Sequence, residues 1–590
     1  MPIVPSRLAF HEGVPYSEAF DDVYHNVQGG GVAKKRHVFL AGNGLPERWA
    51  GRRRFVILET GFGLGLNFLV VLHAWRRDPR RCERLHFVSL EKYPFTLQDL
   101  RLAHEGYPEL AAEAAALHAA WPPLVPGAHR LELEGGKVVL TVFFSDVGIL
   151  RDIRASADAV FLDGFSPAKN ADMWSPQAMR AISRLCAPDA TAATWSVAAD
   201  VRKALQDTGF EVEKRPGFGN KREMLVARNR KQGQTTFYPG ERKAAVVGAG
   251  LAGAALCERL CARGWEVDLY ERHAAPAQEA SGNLAGIFHP LATPDDSVIA
   301  RLTRAGYLYA LQKWGSLENL RWDPCGVLQL ARTEKEDASQ RRAVAGLPAE
   351  YAQYATREEA SAHAGVPLPS GGLWFPGAGW IQPRTLVEAQ LAACGALLHR
   401  KFSCEIKELP KAGIVILANS AEAPKLYPVP HLTLRRVRGQ LTHVPESALE
   451  PPHVVVLRGG MVLPPVEGVC ITGASFDIDD EDPAPRADSH QGNLERLNAM
   501  LGQSIDASLL EGRVAFRAVT RDRLPVVGKM AEGVYGAFAY GSRGLVWAAL
   551  AAEMIASELE GEPLPVEGTL ARALDPGRFR RRAESRGSRP

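Results

Sequence analysis

Residues 243–271 read KAAVVGAGLAGAALCERLCARGWEVDLYE. An apolar run from Lys243 to Val247 meets Gly248, Gly250 and Gly253, an Ala- and Leu-rich segment follows, and a second apolar run ends on Glu271. Strand, glycine turn, helix, strand and acid in this order form a dinucleotide-binding fingerprint. The glycines permit the turn, the approach of a pyrophosphate and close helix packing, and the acid meets a ribose. FAD and NAD both satisfy the motif. Cys257 and Cys261, four apart, fall on one face of the predicted helix as small buried residues.

A second glycine loop lies nearer the N-terminus, in RFVILETGFGLGLNF (54–68). Here the strand ends on Glu59, and Gly61, Gly63 and Gly65 let the backbone turn into a helix and approach a ligand closely. No Lys-Ser/Thr follows as in a P-loop, and Glu59 repels a pyrophosphate, so the loop suits a nucleotide that carries an amino acid. Later apolar runs end on Glu91, placed for ribose hydroxyls, on Asp146, placed for an adenine edge, and on Asp163. Four acidic strand ends around one glycine loop are the pattern of S-adenosylmethionine-dependent methyltransferases.

Between the two loops, RNRKQGQTTFYPGER (228–242) is polar and without apolar periodicity, as a linker is. The expected division is therefore 1–235 and 236–590. In the first part, apolar runs at 55–59, 86–91, 138–146, 158–163, 190–197 and 223–228 alternate with helical stretches such as 109–120 and 199–208. That alternation predicts an α/β Rossmann-like parallel sheet with its ligands beyond the carboxyl ends of the strands. The second part turns strand-rich from about Trp322 to Asp477, which predicts an antiparallel substrate domain inserted into a nucleotide-binding core.

The 590 residues suffice for about three to five folding units. With 46% hydrophobic and 23% charged residues, a disordered or collagen-like chain is excluded. The net charge of +3 leaves any nucleic-acid contact to local patches: Lys34–Arg36, Arg52–Arg54, Arg76–Arg81, Lys221–Arg222 and Arg435–Arg438. Eight cysteines without a C-x-x-C pair speak for neither a disulfide framework nor a metal site. No signal-peptide pattern and no long uncharged apolar run are found, so a cytoplasmic protein without a membrane segment is expected. Nothing sets the oligomeric state, and a monomer is compatible with every feature.

Three later features favour FAD. Ala280-Ser281-Gly282-Asn283 offers small residues and donors to a flavin, and GIVILANSAEA (413–423), a strand with a turn, resembles the second nucleotide-contacting strand of glycine-oxidase-like flavoproteins. Gly544 and Leu545 then open a helix whose N-terminus stabilises negative charge on a reduced flavin. Together they resemble the D-amino-acid oxidase superfamily, of which glycine oxidase is a member.

The whole chain also resembles one specific family. LETGFGLGLNFL, FLDGFSPAKNADMW, GFGNKREMLVA, FDDVYHN and FLAGNGLPERW are similar to the methyltransferase half of the bifunctional tRNA 5-methylaminomethyl-2-thiouridine biosynthesis proteins. GWIQPRTL, RVRGQLT, RVAFRAVTRDRLPVVG and GEPLPVEGTLARALDPGRF resemble the oxidoreductase half. Leu64 stands where the family usually has Thr, and His25-Asn26 where it has Phe-Ser.

The resemblance implies two reactions at the wobble uridine of tRNA. An FAD-dependent step removes the carboxymethyl group from 5-carboxymethylaminomethyl-2-thiouridine. Methylation of the exposed amine by S-adenosylmethionine follows. A carboxylate is expected to orient that amine and take its proton, and Asp163 is the candidate. Phe165 and Trp174 are candidates to stack on the base. Arg517, Arg523 and Arg543 are candidates for the substrate carboxylate, which a guanidinium binds bidentately. The alternative is a fused small-molecule amine oxidase and N-methyltransferase that does not act on RNA.

Overall fold

A computed structural model describes residues 3–11, 14–24, 30–230, 240–506 and 510–587. The chain forms two compact units: residues 1–238 with Ser557–Thr569, and residues 239–556 with 570–590. Most of the expected linker (231–239) and the pair His25-Asn26 lie outside the described residues.

The first unit is built on an eight-stranded sheet. Its order is Phe210–Pro216, Glu223–Asn229, Cys186–Thr194, Ala157–Phe161, Arg54–Glu59, Arg84–Glu91, Val138–Phe144 and Gly127–Leu133. The five strands from Cys186–Thr194 to Val138–Phe144 run parallel, and both edges are finished by antiparallel strands. The central strands bury both faces: Phe55, Val56, Ile57 and Leu58 are each 0% exposed. The chain leaves Arg54–Glu59 for one neighbour and returns to the other, so the order reverses beside this strand. The crevice at its carboxyl end, between Glu59 and Asp163, is where such sheets bind ligands. Each apolar run read from the sequence forms a strand here. Phe210–Pro216 is legible in neither composition nor pattern, because an exposed edge strand carries Glu211, Glu213 and Lys214 as readily as apolar residues.

Ser557–Thr569 was expected in the second half and instead packs with the first unit. The reason is charge. Glu560 pairs with Arg53, and Arg54 donates to the Glu560 carbonyl at 2.6 Å. Buried Glu562 meets Arg84 at 3.2 Å, and Arg130 donates to the Pro563 carbonyl at 2.8 Å. A short acidic segment thereby satisfies cations at the start of the central strands.

The second unit contains a six-stranded sheet ordered Leu398–Lys401, Glu266–Tyr270, Lys243–Val247, Ile414–Leu417, Val534–Phe538 and Val526–Ala531, parallel except for the last pair. A nine-stranded sheet runs beside it, with Leu434–Pro445 paired to Glu511–Thr520 over ten residues. This second sheet corrects the expected insertion in two ways. Leu398–Lys401 and Ile414–Leu417, inside 322–477, belong to the nucleotide sheet, while Glu511–Thr520 lies beyond it and joins the substrate sheet. One pair, Val327–Leu330 with Val455–Leu457, is parallel in an otherwise antiparallel array.

Candidate active sites

In the first unit, the turn after Glu59 is held by left-handed Gly63 (φ 53°) and Gly65 (φ 73°), a conformation L side chains resist. Glu59 itself is 0% exposed. Its carboxyl accepts from Ser89 Oγ and from Asn67 Nδ2, each at 2.7 Å. Burial pushes this carboxyl up to about 8, outweighing those donors. Glu59 therefore sits behind the loop as a mostly protonated group at neutral pH.

Glu91 accepts from the Gly63 N–H at 2.7 Å and from the Tyr93 N–H at 2.8 Å, so it fixes the glycine loop to the next strand end. Burial raises its pKa against those amides. Asp146 is exposed and caps a short helical turn through the Gly148 N–H at 2.8 Å. Gly61 lies against Asp163: a Cβ there falls 3.3 Å from the Asp163 carbonyl.

Asp163 is the most connected of these groups. Oδ2 accepts from the Lys35 ammonium and from Asn67 Nδ2 at 2.8 Å, and Oδ1 accepts from the Gly164 N–H at 3.0 Å. Burial alone raises its pKa, but the Lys35 charge and its hydrogen bond overcome that and hold the carboxyl below the usual range. Phe165, two residues on, stacks on Phe20 at 4.6 Å and meets Tyr24 edge-on at 5.1 Å. Trp174 is 6% exposed and donates to the Phe165 carbonyl at 2.9 Å, so it supports that loop from beneath.

Lys35 and Asn67 escaped the sequence reading. The basic run Lys34–Arg36 is not a continuous surface patch: Lys35 is buried on Asp163 and cannot meet a phosphate. Arg54 and Arg438 are likewise engaged internally, Arg438 with Asp477 at 3.1 Å, and exposed Arg53 is paired with Glu560. The exposed remainder of the patches includes Arg36, Arg77, Arg80, Lys221, Arg222 and Arg435. The ring of Trp195 has Lys34 Nζ at 5.5 Å and Lys221 Nζ at 5.2 Å.

In the second unit, Gly248 is left-handed (φ 104°), and a Cβ on Gly253 falls 1.8 Å from the Gly248 carbonyl, so only glycine permits this strand-to-helix packing. Gly250 faces Ser281, whose Oγ accepts from the Leu251 N–H at 3.1 Å. Glu271 accepts from the Ala249 and His273 amides at 2.8 and 3.0 Å. Gly282 packs against the Ala277 carbonyl, where a Cβ falls at 2.3 Å. Gly248, Gly250, Glu271, Ser281, Gly544 and Leu545 all line a cavity of about 960 Å³.

Arg517 and Arg543 line the same cavity, and neither guanidinium has a hydrogen bond or ion pair among the described residues. Burial lowers the pKa of both, Arg543 to about 10, so the Arg543 guanidinium retains its proton at neutral pH. Arg523, the third candidate, lies in an exposed turn away from the cavity lining. Asn283 Oδ1, Asn419 Oδ1 and the Tyr540 hydroxyl are buried around the cavity without hydrogen-bond partners. A glycine cradle, an acid at the end of the second strand and unpaired polar groups fit a bound dinucleotide. In the first unit, the glycine turn and the buried, unpartnered Asn67 Oδ1 fit an amino-acid-bearing nucleotide.

A family model described as S-adenosyl-L-methionine-dependent methyltransferase matches residues 108–230, and one described as FAD dependent oxidoreductase matches residues 243–558. The chain is 46% identical to the tRNA 5-methylaminomethyl-2-thiouridine biosynthesis bifunctional protein MnmC of Paraburkholderia phytofirmans, over 100% of this chain and 99% of the relative. It belongs to that family. A relative of the same name from Azoarcus sp. is 47% identical over 98% of each chain. Among solved structures, glycine oxidase from Geobacillus kaustophilus is similar at 20% identity and a TM-score of 0.45, over 54% of this chain and 94% of that one. The cofactors of this chain are S-adenosylmethionine and FAD. Among the described residues, no helix is long and apolar enough to cross a membrane, and no group of His, Cys, Asp or Glu is placed to hold a metal ion.

Proposed function

We propose that this chain converts 5-carboxymethylaminomethyl-2-thiouridine at the tRNA wobble position first to the 5-aminomethyl and then to the 5-methylaminomethyl nucleoside. The observation that carries the reading is the presence of both sites, each with its glycine loop and acids intact, in a chain matched end to end by relatives named for this biosynthesis. Acting in the cytoplasm, where tRNA is modified, agrees with cysteines that are free throughout.

FAD, when bound, would supply the two-electron acceptor for the N–CH2 group, which loses one hydride from its carbon and one proton from its nitrogen. The protein's task there is orientation. Arg517 and Arg543, charged and unpaired in the cavity, hold the substrate carboxylate so that its methylene faces the cofactor. Water then cleaves the imine, leaving the aminomethyl group and glyoxylate.

S-adenosylmethionine, when bound, supplies an already activated methyl group. Glu91 and the loop Gly61–Gly65 hold it, Asp163 docks the primary amine, and the Phe20, Tyr24 and Phe165 rings offer an apolar wall to the base. Mass analysis of wobble nucleosides after incubation with and without S-adenosylmethionine tests the order. The aminomethyl nucleoside is expected without it and the methylated one with it. Unchanged tRNA beside turnover of free amino acids points to the small-molecule alternative.

A further inference from the structure

Asp163 carries an ammonium before any substrate arrives. Lys35 ends the helix Gly31–Lys35, is 6% exposed, and places Nζ on Asp163 Oδ2 and 5.2 Å from the centre of the Phe39 ring. Oδ2 is shared with Asn67, and Oδ1 is taken by the Gly164 amide. A primary alkylamine has a pKa near ~10 and is neutral in well under ~1% of molecules at pH 7, yet only the neutral form has the lone pair that methylation needs. An incoming ammonium has to share one carboxylate with Lys35, and two cations within ~4–6 Å disfavour each other.

The wider field has the same sign. Lys34 on the same helix and Lys221 ahead of strand Glu223–Asn229 add two basic side chains, and Asp163 itself and Asp22 on the N-terminal hairpin are the acids that Lys34 feels. Glu59, at the end of strand Arg54–Glu59, is largely protonated at neutral pH and does not offset Lys35. Burial chiefly, with the Lys35 charge second, draws Lys34 down to about 8.

We propose that Lys35 is a positioning residue of the methyltransferase site that compels the substrate amine to dock on Asp163 in its neutral, nucleophilic form. The proton leaves to solvent on binding. Lys35 is tethered beside Asp163 by the helix that carries it, whereas the substrate amine is mobile and is the group that sheds a proton on docking. The methylated product regains a positive charge as a secondary ammonium, and the same lysine then favours its release. This inference rests on Asp163 as the docking site of the amine.

The test uses the full-length protein without S-adenosylmethionine and two tRNAs, one carrying the 5-aminomethyl wobble nucleoside and one lacking the amine. Calorimetry in two buffers of different ionisation enthalpy counts the protons released. The aminomethyl tRNA is expected to release about one proton more than the control at pH 7 with the wild type and with Lys35→Arg, and close to none with Lys35→Met. In single-turnover methyl transfer, the acid limb of the pH profile is expected to move up by about one unit or more in Lys35→Met and to stay in place in Lys35→Arg. Lys35→Gln makes the same comparison if the methionine variant does not bind S-adenosylmethionine. Unchanged proton release and an unmoved acid limb in a neutral variant overturn the proposal. Asp163→Asn separates the two levels: if it retains full methyl transfer the docking site itself is wrong, and if it abolishes transfer while Lys35→Met behaves as wild type, only the role of Lys35 fails.

Discussion

The two glycine loops of this chain are built alike and surrounded differently. In each, the acid that ends the second strand accepts one amide from the glycine loop and one from two residues farther along its own chain: Glu91 from Gly63 and Tyr93, Glu271 from Ala249 and His273. The divergence lies at the end of the first strand. Val247 leads straight into Gly248 and leaves that position open to a pyrophosphate, whereas Glu59 fills it with a carboxyl tied into the chain Ser89–Glu59–Asn67–Asp163–Lys35. A shared turn thus provides nucleotide binding in both halves, and the side chains behind it decide which chemistry follows. Unpaired guanidiniums line the cavity of one unit, and beside the glycine loop of the other a carboxylate is already paired with an ammonium.

Breaking the first site alone is expected to have the largest effect. Asp163→Ala should lower methyl transfer by roughly 10²- to 10⁴-fold while anaerobic flavin reduction by substrate tRNA proceeds at the wild-type rate. Full methyl transfer in this variant would falsify the role given to Asp163. In the second site, Gly253→Val forces a Cβ onto the Gly248 carbonyl, so the purified protein should be colourless and still methylate tRNA that already carries the aminomethyl group. A yellow protein with a normal flavin spectrum contradicts the packing argument.

Smaller effects sharpen the contrast. Arg517→Met and Arg543→Met should each reduce kcat/KM of the oxidation roughly 10- to 10²-fold, the scale of a charged hydrogen bond, with methyl transfer untouched. Equal losses in both reactions point instead to damaged folding or tRNA binding. For Glu59 the sign follows from proton uptake. Its folded pKa of about 8 lies above the unfolded value of 4.5, so the stability it contributes is complete below that lower value and is lost as pH rises through 8. Glu59→Gln should therefore flatten the decline in Tm of the methyltransferase unit between pH 5 and pH 9, measured by calorimetry with S-adenosylmethionine absent. An identical slope in wild type and variant removes Glu59 as the source. The smallest effect is expected at the surface, where Lys221→Ala should weaken tRNA binding a few-fold and lessen its salt dependence by about one counterion.

Much of this organisation is legible along the chain because the information is local. Each acid at a strand end and each loop glycine follows from apolar runs and turn chemistry within some thirty residues, and those runs form the central strands of both nucleotide-binding sheets. Edge strands such as Phe210–Pro216 are not legible, since solvent on one side removes the apolar signal. Partnerships between distant segments are not legible either. Lys35 reads as one basic residue in a run of three, and only the fold sets it on Asp163, 128 positions away. The GEPLPVEG segment (561–568) looks like a tail of the oxidoreductase half and is drawn into the first unit by Arg54, Arg84 and Arg130. Of three arginines with equal claim by sequence, tertiary structure puts Arg517 and Arg543 on the cavity wall and Arg523 in an exposed turn. The sequence by itself determined two nucleotide-cofactor modules and the loops that define them, because backbone turns are set by neighbouring residues. Which charged groups meet, and therefore which sites can do chemistry, was decided only when burial forced distant charges to find partners.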